Sequence, residues 1–352
     1  MGMSIAAAQM LFDAEPGWLN TASYGLPPRP AWDALQQSLR EWQTATGEWE
    51  EWASSVETSR GLWGQMVGVS PADVAVGATV SELLGSVAAS VPDDSRVLAV
   101  EGDFTSLLFP FLAQAGRGVT VTLVPVGELA NAVTPEFDVV AFGLVQSAGG
   151  EVAEYEAIVS RTRDCGAMIV VDATQACGWV PFDASLADVV VAGAYTWLLA
   201  PRGTVFMFIR PEVRDRVVPH AAGWFAGADV HSSYFGTPLR IAENARRLDR
   251  SPAWFSWVGT APALELVLDV GVDAINNHNV SLSNQFLSAL GKEPSNSAIV
   301  CVAVRDAASA QDRLAAAGVR ASIRAGRVRA SFHLYSTQDD VDLAVRALRP
   351  LM

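Results

Sequence analysis

Met168-Ile-Val-Val-Asp172-Ala-Thr-Gln175-Ala-Cys-Gly178 is the stretch that decides the fold. Its first four residues are apolar at successive rather than alternate positions, so a strand formed here hides both faces, as strands do in parallel sheets beneath crossover helices. Similar short apolar runs precede it at Val74 to Gly77, Arg96 to Val100, Val119 to Val124 and Asp138 to Val145, and follow it at Asp188 to Ala192 and Thr204 to Ile209. Helical stretches separate these runs. The alternation predicts an α/β fold with a mainly parallel seven-stranded sheet and helices on both faces. Ligands of such sheets sit beyond the carboxyl ends of the strands, which makes Asp172 and Gln175 site candidates. The plainer alternative is a strand-end aspartate that caps the next helix.

Outward from this core, Pro30 to Trp42 and Val56 to Val67 carry apolar residues at helical spacing and predict opening helices. Pro211 to Arg250 is rich in Gly, His, Trp and Phe, weak in periodicity, and reads as active-site loops. A long helical pattern starts at Thr260; Ser297 to Val304 and Arg327 to Leu334 read as strands of a smaller C-terminal α/β domain. The expected division is an N-terminal segment over the active site at 1–30, a large domain at 31–255 and a small one at 256–352.

Of the 352 residues half are apolar, and no uninterrupted run reaches the length of about eighteen that a membrane span requires. The opening residues lack an export pattern, and Met1 and Gly2 before Met3 read as a cloning remnant, so a cytoplasmic protein is expected. Cys165, Cys177 and Cys301 fit neither a disulfide framework nor a metal site and read as reduced thiols; no metal is expected. A formal charge of −14 without a basic cluster argues against nucleic acid and for a small-molecule substrate.

Five further segments carry chemistry: Asp188-Val-Val-Val-Ala-Gly-Ala-Tyr195-Thr196-Trp197, ending in the turn Pro201-Arg-Gly203; Val76-Gly77-Ala78-Thr79 at the head of a helix; Glu101-Gly-Asp-Phe104 after a strand; Arg329-Ala-Ser331 through Asp340; and Leu19-Asn20 through Tyr24-Gly25. With the Asp172 stretch, these segments resemble the class V aminotransferase family of pyridoxal-phosphate enzymes, in the family's order from about residue 18 to residue 342. The resemblance implies pyridoxal 5'-phosphate as cofactor, an amino-acid substrate and a homodimer. It gives Asp172 the protonated pyridine nitrogen, Gln175 the ring oxygen, and Ala78, Thr79 and Tyr195 the phosphate. Phe104 would stack on the ring, with an ordinary core phenylalanine as the alternative. Arg329 would grip the substrate carboxylate through two parallel hydrogen bonds, with Arg327 and Arg324 as rivals. Asn20 and Tyr24 would cover the substrate, and Ser147 would lie beside the ring oxygen.

The departures matter as much. Thr196 stands where the family carries its Schiff-base lysine, and the one lysine of the chain is Lys292, in a Gly-Lys-Glu-Pro loop. Threonine can neither hold the cofactor covalently nor shuttle the α-proton. Desulfurase relatives keep a nucleophilic cysteine shortly before the arginine strand; here that stretch is Val319-Arg-Ala-Ser-Ile-Arg-Ala325-Gly, with no cysteine nearby in sequence, which disfavours a persulfide-forming desulfurase. Arg247-Leu-Asp-Arg-Ser251-Pro252 replaces a segment whose threonine reaches a neighbouring subunit in relatives.

Within the family the whole pattern resembles the hercynylcysteine sulfoxide lyase branch of ergothioneine biosynthesis. That resemblance implies carbon–sulfur cleavage, with the sulfur leaving as a sulfenic acid and aminoacrylate decaying to pyruvate and ammonia. This copy would be an impaired variant. Trp224, Phe225, Tyr234, Phe235, Trp254 and Trp257 would then supply rings for a trimethylammonium group, or simply pack the domain junction. Transamination, kynureninase-like or desulfurase-like chemistry and a non-catalytic cofactor-binding role are the alternatives.

Overall fold

The computed structural model describes residues 2–324 and 326–352. Met1 and Ala325, the latter in the stretch before the arginine strand, lie outside the described residues. The large sheet comprises β1 (Val74–Gly77), β2 (Arg96–Val100), β3 (Thr120–Val124), β4 (Val139–Gly143), β5 (Met168–Asp172), β6 (Val189–Gly193) and β7 (Val205–Ile209). Its order is β1-β7-β6-β5-β4-β2-β3, with β3, β2, β4, β5 and β6 parallel and β7 antiparallel to both of its neighbours. All seven expected runs are strands, within a few residues at their ends. The fully apolar strands β4 and β6 are buried along their whole length, while the edge strand β3, with threonines at alternate positions, is largely exposed.

The helices Arg29–Thr44 and Trp49–Val67 pack against a third, Trp254–Val270. Trp257, Ala263, Leu264, Val267 and Val270 of that third helix share the core of the large sheet. A break at Gly271 (φ 88°) starts the helix Val272–Ala289. Its Leu282, Phe286 and Leu287 join the small lobe's core instead. The helix Trp254–Val270 thus packs with the large sheet, and the helix Val272–Ala289 contributes to both cores. No helix among the described residues is long and apolar enough to cross a membrane.

The small lobe is built on β8 (Ile299–Ala303), β9 (Ser322–Arg324) and β10 (Arg327–Ser331), antiparallel in the order β8-β10-β9. The sequence reading missed β9, whose three residues show no apolar alternation. Side chains alternate across a strand, and the two faces of this sheet differ sharply. Val300, Val302, Val328 and Ala330 face its own helices. Cys301, Ser322, Arg324, Arg327 and Arg329, matched by register, share the other face, and Cys301 and Arg329 bond from it to the large lobe.

One buried ion pair fixes β1. Arg60, on the helix Trp49–Val67, reaches Asp249 at 2.7 Å, and the two side chains are 2% and 0% exposed. Asp249 also accepts the Val76 N–H at 2.8 Å, and Arg60 donates to the Val74 carbonyl. Helix, strand and the 245–250 loop are therefore locked together directly before the turn at Ala78. Asp249→Ala leaves the buried Arg60 with only the exposed Glu57 as counterion and is expected to cost about 3–5 kcal/mol, measured as a lower urea midpoint with an unchanged slope; a loss below 1 kcal/mol would show that the pair does not hold β1.

Candidate functional site

A cavity of about 470 Å³ opens beyond the carboxyl ends of the parallel strands. Ala78, Thr79, Phe104, Ser147, Asp172, Gln175, Tyr195 and Arg329 line it, so eight of the residues singled out in the sequence converge there. A second cavity, of about 560 Å³, lies at the opposite strand ends around Asp138, Met168 and Asp188 and holds none of them.

The floor is acidic. Asp172 ends β5, and its carboxylate accepts the Thr174 N–H at 2.9 Å. Burial pushes its carboxyl up to about 6, helped by the charge of Asp103 and opposed by hydrogen bonding from Thr174. Asp103 accepts the backbone N–H groups of Gly143 at 2.6 Å and Phe104 at 2.7 Å. Burial raises its carboxyl too. A Cβ at Gly143 would meet the Asp103 carboxylate at 2.8 Å, so only glycine lets this acid approach β4.

One wall is the head of the helix Val80–Ala88, where Thr79 is the N-cap and accepts the Glu82 N–H at 3.2 Å. The Ala78 N–H points back to the Glu82 carboxylate at 2.9 Å, and Glu82 pairs with Arg250 at 3.4 Å. Tyr195 stands beside this turn, with the Arg202 guanidinium 4.9 Å from the centre of its ring. Phe104 caps the cavity with half of its surface exposed.

Gln175 is held at both ends. Its Oε1 accepts the Trp197 indole N–H at 2.8 Å, and its Nε2 donates to the Ala22 carbonyl at 3.0 Å. An amide nitrogen carries two hydrogens, so one N–H remains for the cavity.

The far wall is basic. Arg329 is 2% exposed, donates to the Ser147 carbonyl and to Ser322 Oγ at 3.1 Å and Ser23 Oγ at 3.0 Å, and meets no carboxylate among the described residues. Of the other two buried arginines, Arg60 has two, Asp249 and Glu57, and Arg250 has Glu82. Burial and the neighbouring Arg324 pull the Arg329 guanidinium down to about 10.

Thr196 is fully buried, donates to the Thr174 carbonyl at 3.0 Å and does not line the cavity. Neither lysine nor histidine lines it. Two further expectations fall outside it. Asn20 bridges to Ser331 and accepts the Ser23 hydroxyl at 2.8 Å, while Tyr24 lines an adjoining apolar hollow with Trp32.

The aromatic segment lies apart from the cavity. Trp224 packs on Trp49, Phe225 and Tyr234, Trp254 stacks on Trp49, and Trp257 meets Phe206 in the core. None of the six rings lines the cavity: Trp224, Phe225, Trp254 and Trp257 are held in ring-on-ring packing, while Phe235 is largely exposed. Cys301, distant in sequence from the 319–326 stretch, lies directly across the strand pair from Arg329, because antiparallel pairing joins residues far apart in the chain. Its thiol donates to the Ala148 carbonyl at 3.1 Å, is pushed up by burial, and stays outside the cavity lining. Asp103, Ser23, Thr174 and Arg202 line the cavity without having been singled out. Asp103 was the one with a signal, an acid directly after a buried strand.

Residues 81–344 match the sequence pattern of the aminotransferase class-V family. The chain belongs to the class-V aminotransferase family. Its curated relatives in this family include an uncharacterized aminotransferase of Bacillus subtilis, 28% identical over 65% of this chain and 63% of that protein. A probable cysteine desulfurase of Methanothermobacter thermautotrophicus is 22% identical over 95% of this chain and 94% of its own. Among solved structures, a cysteine desulfurase of Escherichia coli superposes with a TM-score of 0.85 at 19% identity, covering 99% of this chain and 100% of that one. A cystine C-S lyase bound to its product cysteine persulfide superposes with a TM-score of 0.86 at 17% identity, over 96% and 98%. These two likenesses establish the fold that the class-V chain shares with them.

The Asp172 carboxyl has a pH consequence. Its folded value, about 6, lies above its ordinary 3.8, so between about pH 4 and 6 the folded chain keeps a proton that the unfolded chain has lost. Stability contributed by this group therefore falls as pH rises through that window. Urea titrations of the ligand-free protein and of Asp172→Asn at pH 4 and 7 should show the variant gaining on the parent by on the order of 2–3 kcal/mol; parallel pH profiles would mean that the carboxyl is not raised.

Proposed function

We propose that this chain binds pyridoxal phosphate, or its adduct with an amino acid, in the cavity between Asp172 and Arg329, and that it is a lysine-less variant of a carbon–sulfur lyase acting on hercynylcysteine sulfoxide in ergothioneine biosynthesis. The observation that carries the reading is Arg329: a buried guanidinium without an acid, set in one cavity with a buried strand-end carboxylate. A charge buried without a counterion is costly, and a substrate carboxylate would supply one through two parallel hydrogen bonds.

The other residues fit the cofactor. Asp172, whose carboxyl burial raises to about 6 when alone, would gain a cationic partner in the ring nitrogen and be held ionised beside it. The spare Gln175 N–H would meet the ring oxygen, the head of the helix Val80–Ala88 with Thr79 and Tyr195 would hold the phosphate, and Phe104 would lie over the ring. When bound, the cofactor supplies an electron sink for the pair left at the α-carbon. The whole-chain motif pattern supports the lyase branch, and a homodimer is part of the proposal.

Thr196 sets the limit on turnover. Its hydroxyl is spent on the Thr174 carbonyl, and no lining amine or imidazole replaces the lysine as proton carrier. A structurally similar cystine lyase in a lysine-to-alanine form holds glycine linked covalently to its PLP cofactor, which supports retention of a ligand adduct in a site without the lysine. The same facts favour the second reading, a binding protein without turnover. Assay of Thr196→Lys against hercynylcysteine sulfoxide separates the two: cleavage identifies a disabled lyase, and its absence in a variant that has regained a reducible link to the cofactor favours the binding protein.

For the chain as it stands, borohydride should fix no cofactor to the protein, although equilibrium dialysis with pyridoxal phosphate should show binding. Asp172→Ala removes a charge-assisted hydrogen bond of about 1.5–3 kcal/mol and should weaken that binding about 10- to 100-fold; unchanged affinity would remove Asp172 from the site.

A further inference from the structure

The positive charge on the small sheet exceeds what one carboxylate needs. Arg324 on β9 stands directly opposite Arg327 on β10, and Ser322 stands opposite Arg329. All four side chains therefore leave the same face of the sheet. Like charges directly opposite one another destabilise a strand pair, and none of the three arginines has a carboxylate in ion-pair range among the described residues. Acid is not scarce in a chain of formal charge −14. The cluster has been left unneutralised where it meets the cavity.

Arg324 and Arg329 differ in a way that divides the labour. Arg329 is buried, braced by Ser23, Ser147 and Ser322, and presents a fixed fork. Arg324 is exposed, lines the same cavity, and bonds only the carbonyl of its own neighbour Ile323, at 2.9 Å, among the described residues. The two guanidiniums are close enough for Arg324 to make the charge on Arg329 less favourable. A single carboxylate on Arg329 would leave Arg324 facing open space at the mouth.

We propose that Arg324 forms a second anion subsite, and that the ligand is an amino acid whose side chain carries a carboxylate of its own. The inference rests on the reading of Arg329 as the anchor of the α-carboxylate. The class includes the betaine-bearing sulfoxide proposed above, and it excludes short neutral amino acids as preferred ligands. Arg324, at the rim, acts after the α-carboxylate is seated and selects among side chains.

The test uses stable probes, the borohydride-reduced adducts of pyridoxal phosphate with L-alanine, L-glutamate, L-glutamine, S-(2-carboxyethyl)-L-cysteine and the amide of the last, titrated calorimetrically into the full chain. At least one acid should bind about five- to tenfold more tightly than its amide, as charge-assisted hydrogen bonds at a partly exposed site imply. The preference should shrink in high salt. Arg324→Gln, an exposed change, should bring the acid-to-amide ratio below about twofold. Equal binding of both acid–amide pairs by the parent, or a preference that survives in Arg324→Gln, overturns the second subsite while the cofactor reading stands. Failure of even the alanine adduct to bind removes the cofactor reading, and the subsite falls with it.

Discussion

Burial of the central strands on both faces is the constraint from which the rest follows. β4 and β6 expose no residue along their length, and β5 only its first in part. Polar side chains cannot be placed within such strands without losing water and gaining no partner. They are confined to the ends, and the parallel direction of β2, β4, β5 and β6 brings Asp103, the turn after Gly143, Asp172 and Tyr195 to a common end. The antiparallel β7 contributes Val205, from its start, to the same cavity. The site is thus the place where an apolar sheet is allowed to become polar.

The three buried arginines show how the chain distributes charge. Arg60 and Arg250 each sit against a carboxylate and serve to hold β1 and the helix that follows it. Arg329 is held by hydroxyls and a carbonyl, which orient a guanidinium without neutralising it. The contrast separates a neutralised strut from a guanidinium left without an acid at the cavity wall. Hydroxyl donors and acceptors fix geometry at little electrostatic cost, so the field of Arg329 remains directed into the cavity. At the other end burial raises both Asp172 and Asp103, with the charge of Asp103 adding to the rise at Asp172, and the cavity as a whole is polarised from acid floor to basic wall.

The sheet was legible in the sequence because its signal is local: consecutive β-branched residues state burial on both faces, and all seven runs became strands. The acid and amide after β5 were legible for the same reason. What could not be read depends on pairing across distance. β9 has no apolar pattern because one face of it serves the cavity and it is only three residues long. Cys301 approaches Arg329 only through strand register. The aromatic segment misled because rings that pack on rings and rings that await a ligand have the same composition, and only the position of Trp49 beside Trp224 and Trp254 distinguishes them. Trp197, which steers the Gln175 amide, is hidden in the same way, since an indole N–H aimed at a side chain leaves no mark on periodicity.

The N-terminal strand-like segment ties these distant parts together, with Trp18 bridging Arg320, Asn20 bridging Ser331, Ala22 bonded to Gln175 and Ser23 to Arg329. Gly25 passes so close to the Thr196 carbonyl that no side chain would fit between them. Contacts that span most of the chain cannot form until nearly all of it has been made, and closure of such long loops is slow. During synthesis residues 18–23 therefore wait, unpaired, for the later hairpin of β9 and β10, while the domain between them can already fold. The basic wall is made after the sheet and its acid floor, so the two sides of the cavity arise at different stages of synthesis.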